Sequence, residues 1–465
     1  MTNTAVLDEL MTLVDPSKVL TDPASLEAYG KDWTKHYPPA PSAIVFPRSI
    51  EQVQAIVAWA NRHQVALVPS GGRTGLSAAA VAANGEVVVA FDYMNRILDF
   101  NAFDRTVVCQ PGVITRQLQQ FAEDNGLYYP VDFASSGSSQ IGGNIGTNAG
   151  GIKVIRYGMT RNWVAGLKVV TGKGELLELN KGLIKNATGY DLRQLFIGAE
   201  GTLGFVVEAT LRLDRAPRNL TAMVLGTPDF DSIMPVLHAF QGRLDLTAFE
   251  FFSDKALAKV MGRGDVPPPF ETDCPFYALL EFEASTEDVA NEALATFEHC
   301  VEQGWVLDGV MSQSETQLKN LWKLREYISE TISHWTPYKN DISVTVSNVP
   351  AFLRDIDAIV GQHYPDFEVV WYGHIGDGNL HLNILKPDDM AKDAFFATCA
   401  KVNKWVFEIV QRYNGSISAE HGVGMTKRDY LGYSRSPEEI ACMKAIKGVF
   451  DPNGIMNPGK IFAPE

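Results

Sequence analysis

The chain has 465 residues, 46% hydrophobic and 20% charged, which is ordinary for a globular protein of two or three domains. With 55 acidic against 40 basic residues the net charge is −15, which excludes the broad basic surface that a nucleic acid or an anionic membrane requires but leaves room for a local cationic pocket. The five cysteines (Cys109, Cys274, Cys300, Cys399, Cys442) form no CxxC pair and no iron–sulfur spacing, so reduced thiols in a cytoplasmic setting are expected. The opening stretch, Met1 to Leu20, carries three acidic residues and reads as neither a secretory signal nor a transit peptide. No apolar run approaches the roughly eighteen residues of a membrane span.

Along the chain, Ser42 to Phe46, Val65 to Pro69 and Val87 to Asp92 read as strands, with high β-branched content. Between the first two, Ser49-Ile50-Glu51-Gln52 is a capping box that opens a helix to about Arg62, burying Val53, Ile56, Val57 and Ala60. Leu167 to Leu179 predicts a hairpin turning at Gly172-Lys173-Gly174, and Gly204 to Leu213 a further strand, so the class is α+β or α/β. Glycine concentrates beside these strands in three places: Pro69-Ser70-Gly71-Gly72-Arg73-Thr74-Gly75-Leu76-Ser77, the run Ser135 to Gly151, and Gly198-Ala199-Glu200-Gly201-Thr202-Leu203-Gly204. A single Gly-Ser run is usually a loop, but three abutting strands suit backbone N–H groups that approach a phosphate-rich cofactor. Neither the G-x-G-x-x-G fingerprint nor a Walker loop is present, which argues against an NAD-type domain or a nucleoside triphosphatase.

In the second half, Leu324 to Ser329 predicts a helix placing Arg325 and Ser329 on one face, and Ile342 to Val346 a strand entered from Lys339. His374 and His381 are seven residues apart, an odd number that would point them to opposite faces of one straight strand. Gly376-Asp377-Gly378 supplies the turn that brings both rings together. With Glu420 they make an N,N,O set suited to a catalytic divalent metal, with Zn²⁺ expected and Mn²⁺, Fe²⁺ or Co²⁺ as alternatives, and they leave His421 spare as a base. Asn383, two residues beyond His381, lies on the same face as that ligand.

Three stretches in series carry a family resemblance: the 69–77 loop, Gly142-Gly143-Asn144-Ile145-Gly146-Thr147-Asn148-Ala149-Gly150-Gly151, and Thr188-Gly189-Tyr190-Asp191-Leu192 with the 198–204 cluster. Together they resemble the FAD-binding domain of the vanillyl-alcohol oxidase/p-cresol methylhydroxylase flavoproteins. Gly373 to Asn383, Ala419-Glu420-His421-Gly422-Val423-Gly424 and Phe450 to Lys460 are similar to its D-2-hydroxyacid dehydrogenase branch. The resemblance covers nearly the whole chain. It implies an α+β fold with an FAD domain over 1–215, a cap (substrate) domain with antiparallel sheet and metal site over 216–421, and a helical C-terminal return over 422–465.

The resemblance further implies a non-covalent FAD, since no histidine stands in the first loop. Ser70, Gly71, Gly72, Arg73, Thr74, Gly75, Leu76 and Ser77 would wrap the pyrophosphate, and Ser138, Gly142, Gly143, Asn144, Thr147 and Gly204 would line the rest. Metal held by His374, His381 and Glu420 would chelate the 2-hydroxyacid, His421 would bind it and take the hydroxyl proton, and Asn383 would bond the substrate. Tyr338-Lys339-Asn340-Asp341-Ile342-Ser343 is similar to the members acting on D-2-hydroxyglutarate. D-lactate and glycolate members lack the lysine, so Arg325, Ser329 and Lys339 would clamp a second carboxylate. Thr345 departs from the proline usual there. A D-lactate or D-malate dehydrogenase, a non-catalytic flavoprotein subunit and a colourless metallohydrolase stand as alternatives. An electron-transferring flavoprotein as acceptor and a homodimer are expected on the same family grounds.

Overall fold

The computed structural model describes residues 4–34 and 37–463 and divides into two compact units. The first comprises Met1–Gly150, Gly158–Ala216 and Glu420–Glu465; the second comprises Gly151–Tyr157 and Pro217–Ala419. Relative to the boundaries read from sequence, a short excursion at 151–157 joins the second unit, and Glu420 and His421 fall in the first. The excursion has a physical cause. Lys153 lies 2.5 Å from Glu281 and its ammonium sits 4.7 Å over the Trp322 ring, while Arg156 pairs with Glu283 at 3.4 Å. All four charged groups are largely buried, so removing any one strands its partner.

The first unit holds two main sheets. Ala43–Val45, Val87–Ala90 and Leu67–Ser70 run parallel, with Val19–Leu20 antiparallel at the edge. Helix Ile50–His63 covers this sheet with Val53, Ile56, Val57 and Ala60. Trp59, which the apolar stripe left out, is also fully buried and donates its indole N–H to the Val6 carbonyl at 3.1 Å. The cap is displaced by one residue from the expected box. Ser49 accepts from Gln52 N–H, but the Gln52 side chain accepts from the Arg48 amide at 2.7 Å. The second sheet is antiparallel, in the order Ile97–Asn101, Thr106–Cys109, Gly204–Arg212, Val164–Thr171, Leu176–Leu179. Helix Pro437–Phe450 closes onto it, with Phe450 edge-on to Phe196, and the chain then bridges Met456 to Leu67 beside the first glycine loop.

The second unit is built on one antiparallel seven-stranded sheet in the order Asp308–Met311, Leu220–Thr227, Phe276–Glu283, Leu246–Ser253, Val369–Gly373, Asn379–Ile384, Tyr338–Ser343. Helices Asp254–Met261, Glu315–Glu326 and Ile328–Ile332 pack on one face through Leu257, Leu321, Trp322, Leu324 and Ile328 against Phe252, Val370 and Tyr372. Two expectations shift. The strand read over 342–346 begins four residues upstream, at Tyr338, and ends at Ser343, so Lys339 is inside it, and Val346–Asn348 forms a 3-10 turn. The helix expected to run through Ser329 breaks at Tyr327, so Arg325 and Ser329 sit on two successive helices.

Candidate functional site

In the first unit an open cleft with about 670 Å³ of unfilled space is lined by Ser70, Gly71, Gly142, Gly143, Thr147 and Gly204 from the predicted set. It is also lined by Gln140, Gly146, Glu200 and Gly201, which the sequence reading did not single out. The glycines serve it in two ways. A Cβ on Gly143 or Gly146 would meet no protein atom, so backbone is bare toward open space, whereas a Cβ on Gly72 would fall 2.2 Å from the Ser138 carbonyl oxygen, locking the first two glycine loops together. Gln140 Oε1 is buried without a protein partner beside this surface. An elongated cofactor with phosphates and ring amides fits such a lining: close-approaching backbone for the one, an orphaned side-chain acceptor for the other.

Other members of the predicted set hold the loops rather than line the cleft. Arg73 adopts φ +60°, pairs with Asp92 at 3.2 Å, donates to the Gly71 carbonyl at 2.8 Å and stacks on Tyr29. Asn144 is buried and donates to Thr115 Oγ1 at 2.7 Å, and the Ser77 carbonyl accepts from the Met425 and Thr426 amides. Gly75 stands with its Cβ position 3.4 Å from Asp32, and Ser138 is the residue against which Gly72 packs. Thr74 and Leu76 are half-buried in the same loop.

In the second unit, strand register gathers most of the predicted polar residues on one sheet face. Phe252, Tyr372, His381 and Asp341 are successive cross-strand partners, and in the next row Asn383 opposes both Val370 and Lys339. Directly opposed residues share a face, so His381, Asp341, Asn383 and Lys339 point to the side covered by the 315–332 helices. His374 reaches the same region because the chain turns through the 3-10 segment Ile375–Asp377 to Gly378 at φ +84°. A Cβ on Gly378 would lie 2.0 Å from the Val344 carbonyl oxygen, so only glycine fits. The two imidazoles end 5.4 Å apart, nearly perpendicular at 82°.

Glu250 organises this face. Its Oε1 lies 2.7 Å from His374 Nδ1 and its Oε2 lies 2.8 Å from Arg325 Nε, close enough for an ion pair although off the N–H axis. A carboxylate opposite Nδ1 makes that nitrogen the protonated one and leaves Nε2 as the ring's remaining lone pair, the arrangement found where histidine ligates metal. Asp341 lies 3.9 Å from His381 Nδ1 and accepts from Asn379 Nδ2 at 2.9 Å. With two imidazoles and adjacent carboxylates, the donor chemistry fits a divalent transition metal.

Arg325 is 5% exposed, its guanidinium lies 4.6 Å from the Tyr372 ring centre, and its Nη2 has no hydrogen-bond partner in the protein. Lys339 donates to Ser329 Oγ at 3.2 Å. Asn383 directs its amide N–H groups to the Val370 and His381 carbonyls at 3.3 and 3.2 Å, so that end of the side chain serves the hairpin. The last residue of the unit, Ala419, donates its amide to the Asp341 carbonyl at 3.3 Å. Glu420 and His421 open the closing segment of the first unit, with His421 Nε2 3.5 Å from Glu420 Oε1.

Sequence reasoning missed Glu250, Asp341 and Glu200. A signal existed for two of them. Glu250 is the lone carboxylate in the apolar run Ala248-Phe249-Glu250-Phe251-Phe252, which demands a buried partner, and Asp341 shares strand parity with Lys339.

Residues 216–461 match the family model described as FAD linked oxidases, C-terminal domain, and residues 41–180 match the FAD binding domain. Over 463 residues, all of both chains, the sequence is 86% identical to a protein of Stutzerimonas stutzeri (strain A1501) named D-2-hydroxyglutarate dehydrogenase. A protein of the same name from Xanthomonas citri pv. viticola is 55% identical over 99% of this chain and 98% of its own, and a mitochondrial one from Danio rerio is 36% identical over 96% and 83%. Among solved structures, substrate-bound p-cresol methylhydroxylase superposes with a TM-score of 0.77 at 15% identity over 100% of this chain and 98% of its own. 4-Ethylphenol oxidase from Gulosibacter chungangensis gives 0.77 at 17% over 99% and 97%. These two establish the fold, and the expected flavoprotein architecture, an FAD-binding domain with an α+β cap, is the one found. The chain therefore belongs to the FAD-linked oxidases, in one family with the proteins named D-2-hydroxyglutarate dehydrogenase.

Proposed function

We propose that this FAD-linked oxidase is a dehydrogenase that converts D-2-hydroxyglutarate to 2-oxoglutarate with the help of a divalent metal. The observation that carries the choice of substrate is the buried Arg325 guanidinium with an unpartnered Nη2, on the sheet face that also presents Lys339, paired to Ser329. A buried donor without an acceptor costs free energy that a ligand carboxylate would recover, and a monocarboxylate clamped at its hydroxyacid head needs no second cation.

Bound FAD supplies a two-electron acceptor for the hydride on C2. A bound metal held by His374, His381 and Glu420 supplies Lewis-acid polarisation of the hydroxyl. Arg325 and Lys339, with Ser329, hold the distal carboxylate. His421 accepts the hydroxyl proton on its imidazole. Asn383 keeps the hairpin that carries His381 in register, leaving its carbonyl oxygen for the substrate. Ser70, Gly71, Gly142, Gly143, Thr147 and Gly204 bear on the flavin nucleotide, with Gly72, Arg73, Thr74, Gly75, Leu76, Ser77, Ser138 and Asn144 shaping the loops around it. On family grounds the electrons pass to an electron-transferring flavoprotein, and the protein acts as a homodimer in the cytoplasm. Among the described residues no helix is long and apolar enough to cross a membrane.

The test is anaerobic reduction of the flavin by D-2-hydroxyglutarate, D-malate and D-lactate in parallel. Fastest reduction by D-2-hydroxyglutarate is expected; preference for D-lactate would overturn the dicarboxylate reading.

A further inference from the structure

We propose that Glu200 is a positioning residue for His421, acting through the loop that follows it; this rests on the reading of His421 as the proton acceptor. Within the first unit, the Glu200 carboxylate takes both amides of a consecutive pair, Val423 N–H to Oε1 at 2.6 Å and Gly424 N–H to Oε2 at 2.7 Å. The residue is 5% exposed and belongs to the wall of the flavin cleft, so one side chain joins that wall to the segment carrying His421.

Both ends of the clamp are rigid. Glu200 is held at φ +51° between Gly198 and Gly201, also at positive φ; its amide donates to the Gly146 carbonyl at 2.7 Å, and its carbonyl accepts from Asn457 Nδ2 at 2.7 Å. A non-glycine residue in that conformation is strained and persists only where its surroundings dictate it. On the other side, Gly422 at φ +84° would place a Cβ 2.8 Å from Glu200 Oε1, and Gly424 at φ +50° would place one 2.0 Å from the Ser77 carbonyl oxygen. The loop is therefore pressed against Glu200 and Ser77, with no room for a side chain at Gly422 or Gly424. His421 directly precedes Gly422 and stands two residues before the first clamped amide, so the clamp restricts where its Cα lies.

Loss of two charge-assisted hydrogen bonds would let the backbone after His421 wander, and displacement of a catalytic group by about 1 Å costs on the order of a hundred-fold in rate. The experiment uses the full-length FAD-loaded protein with Glu200→Gln and Glu200→Asp at pH 8. Backbone hydrogen exchange of residues 421–426 is read without substrate. Flavin reduction is then followed with whichever of the three hydroxyacids reduces the wild type.

Glu200→Gln, which keeps one acceptor but turns an amide toward the second N–H, should raise exchange at Val423 and Gly424 roughly ten-fold or more. Limiting flavin reduction should fall about ten- to a hundred-fold, with KM within about three-fold. Glu200→Asp should fall between. Faster exchange with an unchanged reduction rate makes the contact purely structural and overturns the proposal, as does unchanged exchange. Loss of flavin from both variants overturns it too, since the carboxylate then serves the cofactor or the fold. A wild-type flavin that none of the acids reduces refutes the functional reading, and this one with it, whereas unchanged exchange in the variants counts against the clamp alone.

Discussion

Replacing Glu250 with glutamine tests the second unit at its most constrained point. Glu250 is 1% exposed and meets His374 Nδ1 at 2.7 Å and Arg325 Nε at 2.8 Å. Glutamine preserves shape, and its carbonyl can still accept from His374, but its NH₂ then faces Arg325 and the buried guanidinium loses its counter-charge. Removing one partner of a buried ion pair costs about 3–5 kcal/mol, because the survivor stays desolvated. For a unit of this size each kcal/mol lowers Tm by about 2–4 °C, so the second unit should melt on the order of 10 °C earlier. Glu250 also sets the protonated nitrogen of His374, so metal affinity should fall roughly ten- to a hundred-fold. Differential scanning calorimetry reads the first effect, and metal content after dialysis against graded chelator reads the second. A Tm within about 2 °C of wild type together with unchanged metal content would refute the view that Glu250 ties the metal ligand to the substrate arginine.

Lys339→Ala should raise KM for D-2-hydroxyglutarate roughly ten- to a hundred-fold, with a much smaller effect on D-lactate, as steady-state assays on both acids would show. His421→Asn should retain FAD, judged by the visible spectrum, while slowing flavin reduction by about 10²- to 10⁴-fold in stopped flow. Exhaustive chelation should abolish flavin reduction without bleaching the flavin, and adding back Zn²⁺, Mn²⁺ or Co²⁺ singly should identify the ion that restores it. Burial pushes the Glu200 carboxyl up to about 7 from an ordinary 4.5, against the pull of the Val423 and Gly424 amides and of Lys427 and Lys460. Between those pH values the folded protein holds a proton that the unfolded chain releases, so the Glu200 contribution to stability falls as pH rises from about 4.5 to 7 and is level above. The wild type should therefore lose about 3 kcal/mol relative to Glu200→Gln over that window in denaturant titrations, and a pH-independent difference would refute the shift.

What could be read along the chain was what local backbone chemistry enforces. The turn between His374 and His381 was legible because odd spacing and Gly378 admit few geometries, and Gly378 does adopt φ +84° against the Val344 carbonyl. The glycine loops were legible for the same reason: they need bare backbone, and Gly143 and Gly146 provide it. Sequence and structure differ where competing local signals are close in strength. The β-branched run after Lys339 looked like the strand itself, yet pairing with Asn379–Ile384 selects Tyr338–Ser343, since that register puts Asp341 opposite His381.

By itself, then, the sequence determined the strand–glycine-loop punctuation and the histidine hairpin, which are properties of short segments with restricted φ and ψ, while its motifs in series carried the resemblance to the flavoprotein family. Only tertiary structure decided that Arg325 is held by Glu250, that Asp341 stands beside His381, that residues 151–157 anchor in the second unit through Lys153 and Glu281, and that Glu200 grips the loop after His421. Each of these joins residues between 40 and 224 positions apart. No local preference encodes such a pairing. It follows from which strands align and which buried charges find the nearest partner once water is excluded.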